Sequence, residues 1–424
     1  MATDGQSGIS TSLLKALIFL MFASFAMTTD SVGTVIPEII REFGLGMTAA
    51  GSFHYATMSG IGLSAIALGF LADRFGRKRT ILLGLALFCA TSMLFAVGHD
   101  FGFFVALLFL SGLGIGIFKA GALALIGDVS KSTREHAATM NLVEGFFGVG
   151  AIIGPAIVAF SLSSGASWKW VYLIAGGLCL ILIAGTFFAP FPAPVHVSKE
   201  RADPRDSIRM LGDPAALFFS AALMLYVAAE AAIYVWAPTY FEGYQGAGAW
   251  LAAYVVSIFF ILRAVGRFVG AWLLARLEWS VVLVICSCAM AALFWIAMVG
   301  GRSAAVFALP ATGIFMSVLY PTLNSTGISC FERDRHGSIA GLLLFFTCVG
   351  AVLAPLSMAA VGDALGNTDY SMALGGGFAT LLAAMCLWNL IRRPVAARLA
   401  QRNRADYGEA ASGDASEAGL PLHA

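Results

Sequence analysis

The chain is 424 residues long, 59% hydrophobic and only 12% charged, with 33 phenylalanines, 47 glycines and a net charge of +1. Soluble domains carry about a quarter charged residues, so water cannot cover this surface, and a near-neutral chain offers no field for nucleic acid. Its seven cysteines lie in apolar runs without a Cys-x-x-Cys pair, which points to buried thiols and gives no reason to expect a zinc site, a disulfide framework or a cofactor.

A bilayer-spanning helix needs about 20 predominantly apolar residues. Residues 1–12 are small and polar, carry no cleavable signal pattern and are expected to form a cytoplasmic N-terminal segment. Charges, prolines and glycines then mark spans at about 13–40, 48–72, 79–98, 101–128, 136–162 and 168–190, an N-terminal bundle over 13–190. Residues 191–213 are the longest polar stretch before the tail and read as a cytoplasmic central loop. Further spans at about 214–242, 248–275, 279–299, 303–331, 336–362 and 369–391 make a C-terminal bundle over 214–392, and 393–424 is expected to be a disordered cytoplasmic tail. With the N-terminus inside, 19 Lys and Arg fall in inner loops and termini against three in outer loops. That bias places both termini in the cytoplasm of a multi-pass inner or plasma membrane protein.

The two sets of spans repeat. VGAIIGPAIVAF at 149–160 matches VGAVLAPLSMAA at 349–360, bringing Gly150 onto Gly350 and Pro155 onto Pro355. Pro37 and Pro238 close the first and seventh spans at nearly the same offset. Transporters built from repeats hold their solute near the midplane between the repeats. Prolines inside spans, Pro321 among them, mark expected bends.

Between the second and third spans stands GFLADRFGRKRT, at 69–80. Through Gly69, Leu71, Asp73, Arg74, Gly76, Arg77 and Lys78 the chain resembles the major facilitator superfamily, whose signature is G-x-L-a-D-R-x-G-R-[KR]. The resemblance implies an all-α membrane protein of twelve transmembrane helices in two pseudo-symmetric six-helix bundles, and a monomer. It also implies a gating role for Gly69, Asp73, Arg74, Gly76 and Arg77. Asp73 would face a helix N-terminus of the other half, which favours an anion. The second half keeps only GRFVGAWLLAR at 266–276, with Leu274 in the aspartate's place. Three further stretches, NLVEGFFGVGAIIGP, LYVAAEAAIYVWAPTYF and GIFMSVLYPTL, resemble the fucose–galactose–glucose:proton symporter branch. That likeness implies roles for Asn141, Glu144 and Glu230. The branch's fourth-span acidic residue is missing, and Lys119 lies nearby instead.

Five ionisable residues fall well inside spans: Asp30, Lys119, Glu144, Glu230 and Arg263. Such residues pair, or line a wet path, because an isolated charge in hydrocarbon is costly. Lys119 and Glu144 share a depth, so Lys119 either pairs with Glu144 or faces a central cavity and meets an anion there. Arg263 either clamps an anionic group or neutralises Glu230. A carboxyl moved between dry and cation-paired surroundings changes its proton affinity, which makes Glu144, Asp30 and Glu230 candidate proton carriers. Tyr320 and Asn324, with Tyr226, Tyr234 and Trp236, could face a polar solute, although lipid-facing placement is as good a reading of the aromatics. No G-x-x-x-x-G-K-[ST] motif appears, so an ion gradient is the expected energy source.

The expected function is alternating-access secondary transport: proton-coupled symport of a small polar solute, sugar-like or an organic anion. Its alternative is a proton-driven exporter of drugs or metabolites. The six histidines are scattered, mostly at span ends or in loops, so an enzyme's compact constellation is not expected. A sensor would need an output domain longer than this tail.

Overall fold

The computed structural model describes residues 3–67, 75–129, 133–191, 210–332, 335–395 and 398–399, with side chains at 3–11, 65–67, 127–128, 133–138, 141 and 336–338 left aside. Among the described residues every regular element is helical. The first half holds α1 (Thr3–Thr29), α2 (Val32–Phe43), α3 (Met47–Ala50), α4 (Ser52–Ala67), α5 (Arg77–Leu94), α6 (Phe101–Val129), α7 (Thr133–Ser163) and α8 (Trp170–Phe188). The second holds α9 (Pro214–Ala231), a π-helical turn (Ala232–Trp236), α10 (Ala237–Tyr240), α11 (Ala249–Ala253), α12 (Val255–Leu274), α13 (Trp279–Val299), α14 (Gly301–Ser329), α15 (His336–Leu365) and α16 (Thr368–Arg392).

Among the described residues, ten helical segments are long and apolar enough to cross a membrane. α4 and α5 fall short for visible reasons: α4 has 16 described residues, and α5 opens on Arg77, Lys78 and Arg79. Most helix ends lie close to the sequence reading; the second and eighth spans break at Gly51 and Tyr254, and the first and seventh differ more. The first helix starts at Thr3, inside the segment expected to precede it. The first span breaks at Asp30–Ser31, where α1 stops and α2 starts. The seventh loosens into a π turn directly after Glu230 and ahead of Pro238. Of the cysteines, Cys288 is exposed rather than buried.

Both halves pack by one scheme. In the first, α4 and α5 lie against α6 and α1 against α7; in the second, α12 and α13 lie against α14 and α9 against α15. Small residues set these approaches. A Cβ on Gly150 or Gly154 would collide with the Ala23 or Met27 carbonyl of α1, and one on Gly350 would crowd the Met224 carbonyl of α9. The matching offset therefore reflects matching contacts.

Call the end where α2 meets α3 the far end, and the end where α8 stops and α9 starts the near end. The halves join toward the far end. Gly33 of α2 packs on the Tyr234 and Val235 backbone so closely that any Cβ would collide with the Tyr234 carbonyl. Proline explains both surfaces: Pro37 cannot donate to the Gly33 carbonyl, nor Pro238 to the Tyr234 carbonyl, each the acceptor one α-turn back. The two disturbed turns meet at the seam. Farther out, Asp363 of α15 accepts the Met47 and Thr48 N–H groups, both at 2.8 Å, and Arg41 pairs with Glu242 at 3.3 Å. Ser257 of α12 donates to the Ile152 carbonyl of α7 at 2.9 Å.

Toward the near end the first half keeps its own apolar core, built on Phe22, Phe25, Phe88, Phe118 and Leu182, with no second-half residue in it. The larger core, by contrast, unites the second half with the far end of the first. At the near end Asp213 caps α9 through the Ala215 and Ala216 N–H groups and binds Arg398 at 2.8 Å. Burial alone would push its carboxyl up, but the Arg398 and backbone hydrogen bonds hold it below the ordinary range. Of the sequence motif, Gly76 takes a left-handed φ of 83° ahead of α5, and Lys78 donates to the Phe187 and Ala189 carbonyls at the end of α8. Gly69, Asp73 and Arg74 lie outside the described residues.

Gly154→Val is expected to lift α7 off α1, overpacking of a kind that costs about 1–3 kcal/mol. Its thermal unfolding midpoint in detergent should fall by several degrees, and an unchanged midpoint would contradict the close approach.

Candidate functional site

The chain places its mid-span charges just on the near side of the seam. Asp30 lies one turn before Gly33, Glu230 one turn before Tyr234, Arg263 under two turns beyond Ser257, and Glu144 about two turns before Ile152. A shut far end thus sits directly above the ionisable groups.

Glu230 is 8% exposed and is paired with the Arg263 guanidinium. It also accepts the Tyr226 hydroxyl at 3.2 Å. Of the two readings of Arg263, the structure forms the neutralising pair. One guanidinium nitrogen, Nε, is buried without a hydrogen-bond partner among the described residues. The arginine plane also lies 5.9 Å from the Phe260 centroid. Tyr320 of α14 brings its ring to 5.7 Å from that of Tyr226, so the pair has an aromatic wall. Asn324, one turn on along α14, is half-buried. Tyr226, Tyr234 and Trp236 are buried, which corrects the lipid-facing alternative; Trp236 donates to the Pro355 carbonyl at 3.0 Å and serves packing.

Asp30 accepts the Thr29 hydroxyl at 2.8 Å, at the break between α1 and α2. It lies within electrostatic range of Glu230, Arg263 and Lys119. Lys119 is half-buried on α6, with its ammonium 5.5 Å from the Phe147 centroid. That cation–π contact partly compensates the charge. Among the described residues Lys119 forms no ion pair, so the Lys119–Glu144 pair weighed from sequence is not made in this arrangement. Glu144 is exposed. Its field reaches Arg263 and Tyr320 of the other half, and that of Lys119 reaches Cys348 of α15. The Asn141 side chain lies outside the described residues.

Sequence reasoning missed two residues at the seam. His54, read as belonging to a span end, is fully buried on α4 and reaches the Ala351 carbonyl of α15 at 2.9 Å. Asp363, at the far end of α15, caps the start of α3 across the halves. For His54 a signal was present, a titratable residue within an apolar stretch. For Asp363 there was none, since a cap is recognisable only once its helix is placed.

Removing one partner of a buried ion pair leaves an uncompensated charge and costs about 3–5 kcal/mol. Arg263→Ala should therefore destabilise the fold strongly, and Arg263→Gln/Glu230→Gln should recover most of the loss. If the double variant unfolds as early as the single one, the pair is not what anchors this region.

The Major Facilitator Superfamily model matches residues 18–355. Protein TsgA from Escherichia coli O1:K1 is 24% identical over 376 residues, covering 87% of this chain and 93% of that protein. Among solved structures, a variant of the nucleoside transporter NupG superposes with a TM-score of 0.74 at 15% identity, covering 89% of this chain and 99% of that one. A D-xylose-proton symporter gives 0.72 at 14%, covering 89% and 97%. The fucose:proton symporter FucP of E. coli gives 0.62 at 21%, covering 89% and 99%. These likenesses establish the shared fold.

Proposed function

The chain belongs to the major facilitator superfamily, and from that premise we propose that it carries a small polar solute, sugar-like or an organic acid, in symport with protons. As a member of that superfamily it is a membrane transporter and not an enzyme. The carrying observation is the Glu230–Arg263 pair beneath the far-end seam with Asp30 in range of both, Lys119 in range of Asp30 and Glu144 in range of Arg263.

Three carboxyls against two cations leave one formal negative charge when all are ionised, which a single proton removes. Glu230 is already held by Arg263, so Asp30 and Glu144 are the carboxyls with proton affinity to change as the site is wetted or closed. Lys119 is the cation left for a solute's anionic or hydroxyl-rich group. Tyr226 and Tyr320 offer ring faces and hydroxyls, and Asn324 an amide. Fucose, xylose and nucleosides, named for three structural neighbours, are hydroxyl-rich and suit such a lining.

In this reading twelve helices form two six-helix bundles, 13–190 and 214–392, that rock about the charges. The basic residues put the near end, both termini and the 191–213 loop in the cytoplasm, so the arrangement is inward-facing. Asp73, of the sequence motif between the second and third spans, and Asp363 act as opposed latches in this reading, each carboxylate capping a helix of the other half in turn. A proton-driven exporter remains the second reading, since the same charges serve exchange.

Proteoliposomes separate the two. Accumulation of a sugar or small carboxylate driven by an inward proton gradient supports symport, and expulsion supports export. Lys119→Ala is expected to lower proton-driven accumulation at least about tenfold, equivalent to 1.4 kcal/mol, with yield and thermal stability near wild type. If instead Lys119→Ala misfolds and Lys119→Ala/Glu144→Ala transports normally, Lys119 serves the fold alone.

A further inference from the structure

His54 is fully buried where three elements meet: its own helix α4, α15 of the other half, and the π turn, whose Tyr234 ring lies 5.6 Å away. Its Nε2 stands 2.9 Å from the Ala351 carbonyl. A carbonyl oxygen only accepts, so Nε2 carries the hydrogen and, in the neutral ring, Nδ1 holds the lone pair. That Nδ1 is buried and has no hydrogen-bond partner among the described residues. Here is a titratable side chain bonded across the seam through one nitrogen, with the other buried and without an acceptor among the described residues.

We propose that His54 is a proton-sensitive lock on the far-end seam, allowing the two halves to close there only while its imidazole is neutral. A proton on Nδ1 would create an imidazolium with one N–H unsatisfied and no counter-charge. The surrounding titratable groups supply none. Tyr55, next to it on α4, and Tyr234 are its ring neighbours. On α15, Asp363 is engaged with the Met47 and Thr48 amides, and Cys348 lies toward Lys119. On α2, Arg41 pairs with Glu38 and Glu242, and Glu42 accepts the Trp168 indole N–H. On α6, Lys119 acts on Asp30. Among the described residues none of these groups is bonded to His54, whose ring has the Ala351 carbonyl as its one hydrogen-bond partner.

The sign follows from linkage. When the halves separate, the ring meets water and takes a proton at an ordinary value of about 6.5. When they close, it must give that proton up. The closed far end therefore keeps its full stability above about pH 6.5 and loses it as pH falls below, by up to about tenfold in the closed-to-open ratio per pH unit. Acid on the far side holds the far side open. The proposal rests on the alternating-access reading but not on any substrate, and it makes His54 a positioning residue that sets when the seam may shut.

Spin labels at Ser164→Cys and Gln245→Cys, both exposed in far-end turns of opposite halves, report the seam in nanodiscs of a cysteine-replaced protein without solute. Between pH 7.5 and 5.5 the short-distance population should give way to a longer one. His54→Gln, whose amide can still donate to the Ala351 carbonyl but does not titrate, should lose that dependence. Equal slopes in the two proteins, or none in wild type, overturn the lock. A single distance at every pH overturns alternating access and the lock with it. Should His54→Gln fail to fold, nitrogen-15 NMR of histidine-labelled wild type decides: a neutral Nε2–H ring in the closed population at pH 7 is expected, and an imidazolium there refutes the proposal.

Discussion

A charge in a medium without water must be paired, wetted or absent, and the arrangement of this chain follows from how it meets that demand. Glu230 and Arg263 satisfy it by pairing, with Tyr226 adding a hydrogen bond. Asp30 takes a hydroxyl from Thr29, and Lys119 leans on the Phe147 ring. Glu144 is simply exposed. Such a graded set, from fully compensated to open, would be unstable inside a closed bundle. It is tolerable beside a hydrated gap, which the proposed alternating access would place between the halves.

The seam that bounds the gap depends on backbone more than on side chains. Pro37 and Pro238 each withhold a donor one turn along, and the turns they disturb face one another through Gly33 and Tyr234. Without a Cβ at Gly33 the helices approach closely enough to exclude water. The polar ties farther out, Asp363 to the start of α3 and Arg41 to Glu242, are exposed enough to break and reform. A tight apolar contact with weak polar ties around it suits a surface that has to open, because surface ion pairs contribute only about 0–1 kcal/mol each.

Much of this was legible in the residues. Helix limits follow from charge and hydropathy, as the span read at 279–299 and the helix Trp279–Val299 illustrate. The duplicated Gly-Pro element was read as a repeat, and its glycines make matching contacts, Gly150 on α1 and Gly350 on α9. Where local rules yielded to tertiary contact, the sequence was silent. The break at Asp30–Ser31 and the π turn at Ala232–Trp236 lie where the halves touch. Trp236 looked interfacial by type, and packing against α15 buried it. Lys119 and Glu144 share a depth, but helix rotation, which depth does not specify, leaves them unpaired. His54 reads as an end-of-span residue until α15 is laid beside it.

The central claim is that the charge cluster is reached by water from alternating faces. Glu144→Cys in a cysteine-replaced protein tests it directly, through its reaction with a membrane-impermeant maleimide in right-side-out and inside-out vesicles. The account predicts labelling from both faces, faster from the near end. A cysteine at this position that reacts from neither face, in a variant that keeps the wild-type thermal unfolding midpoint, would contradict it.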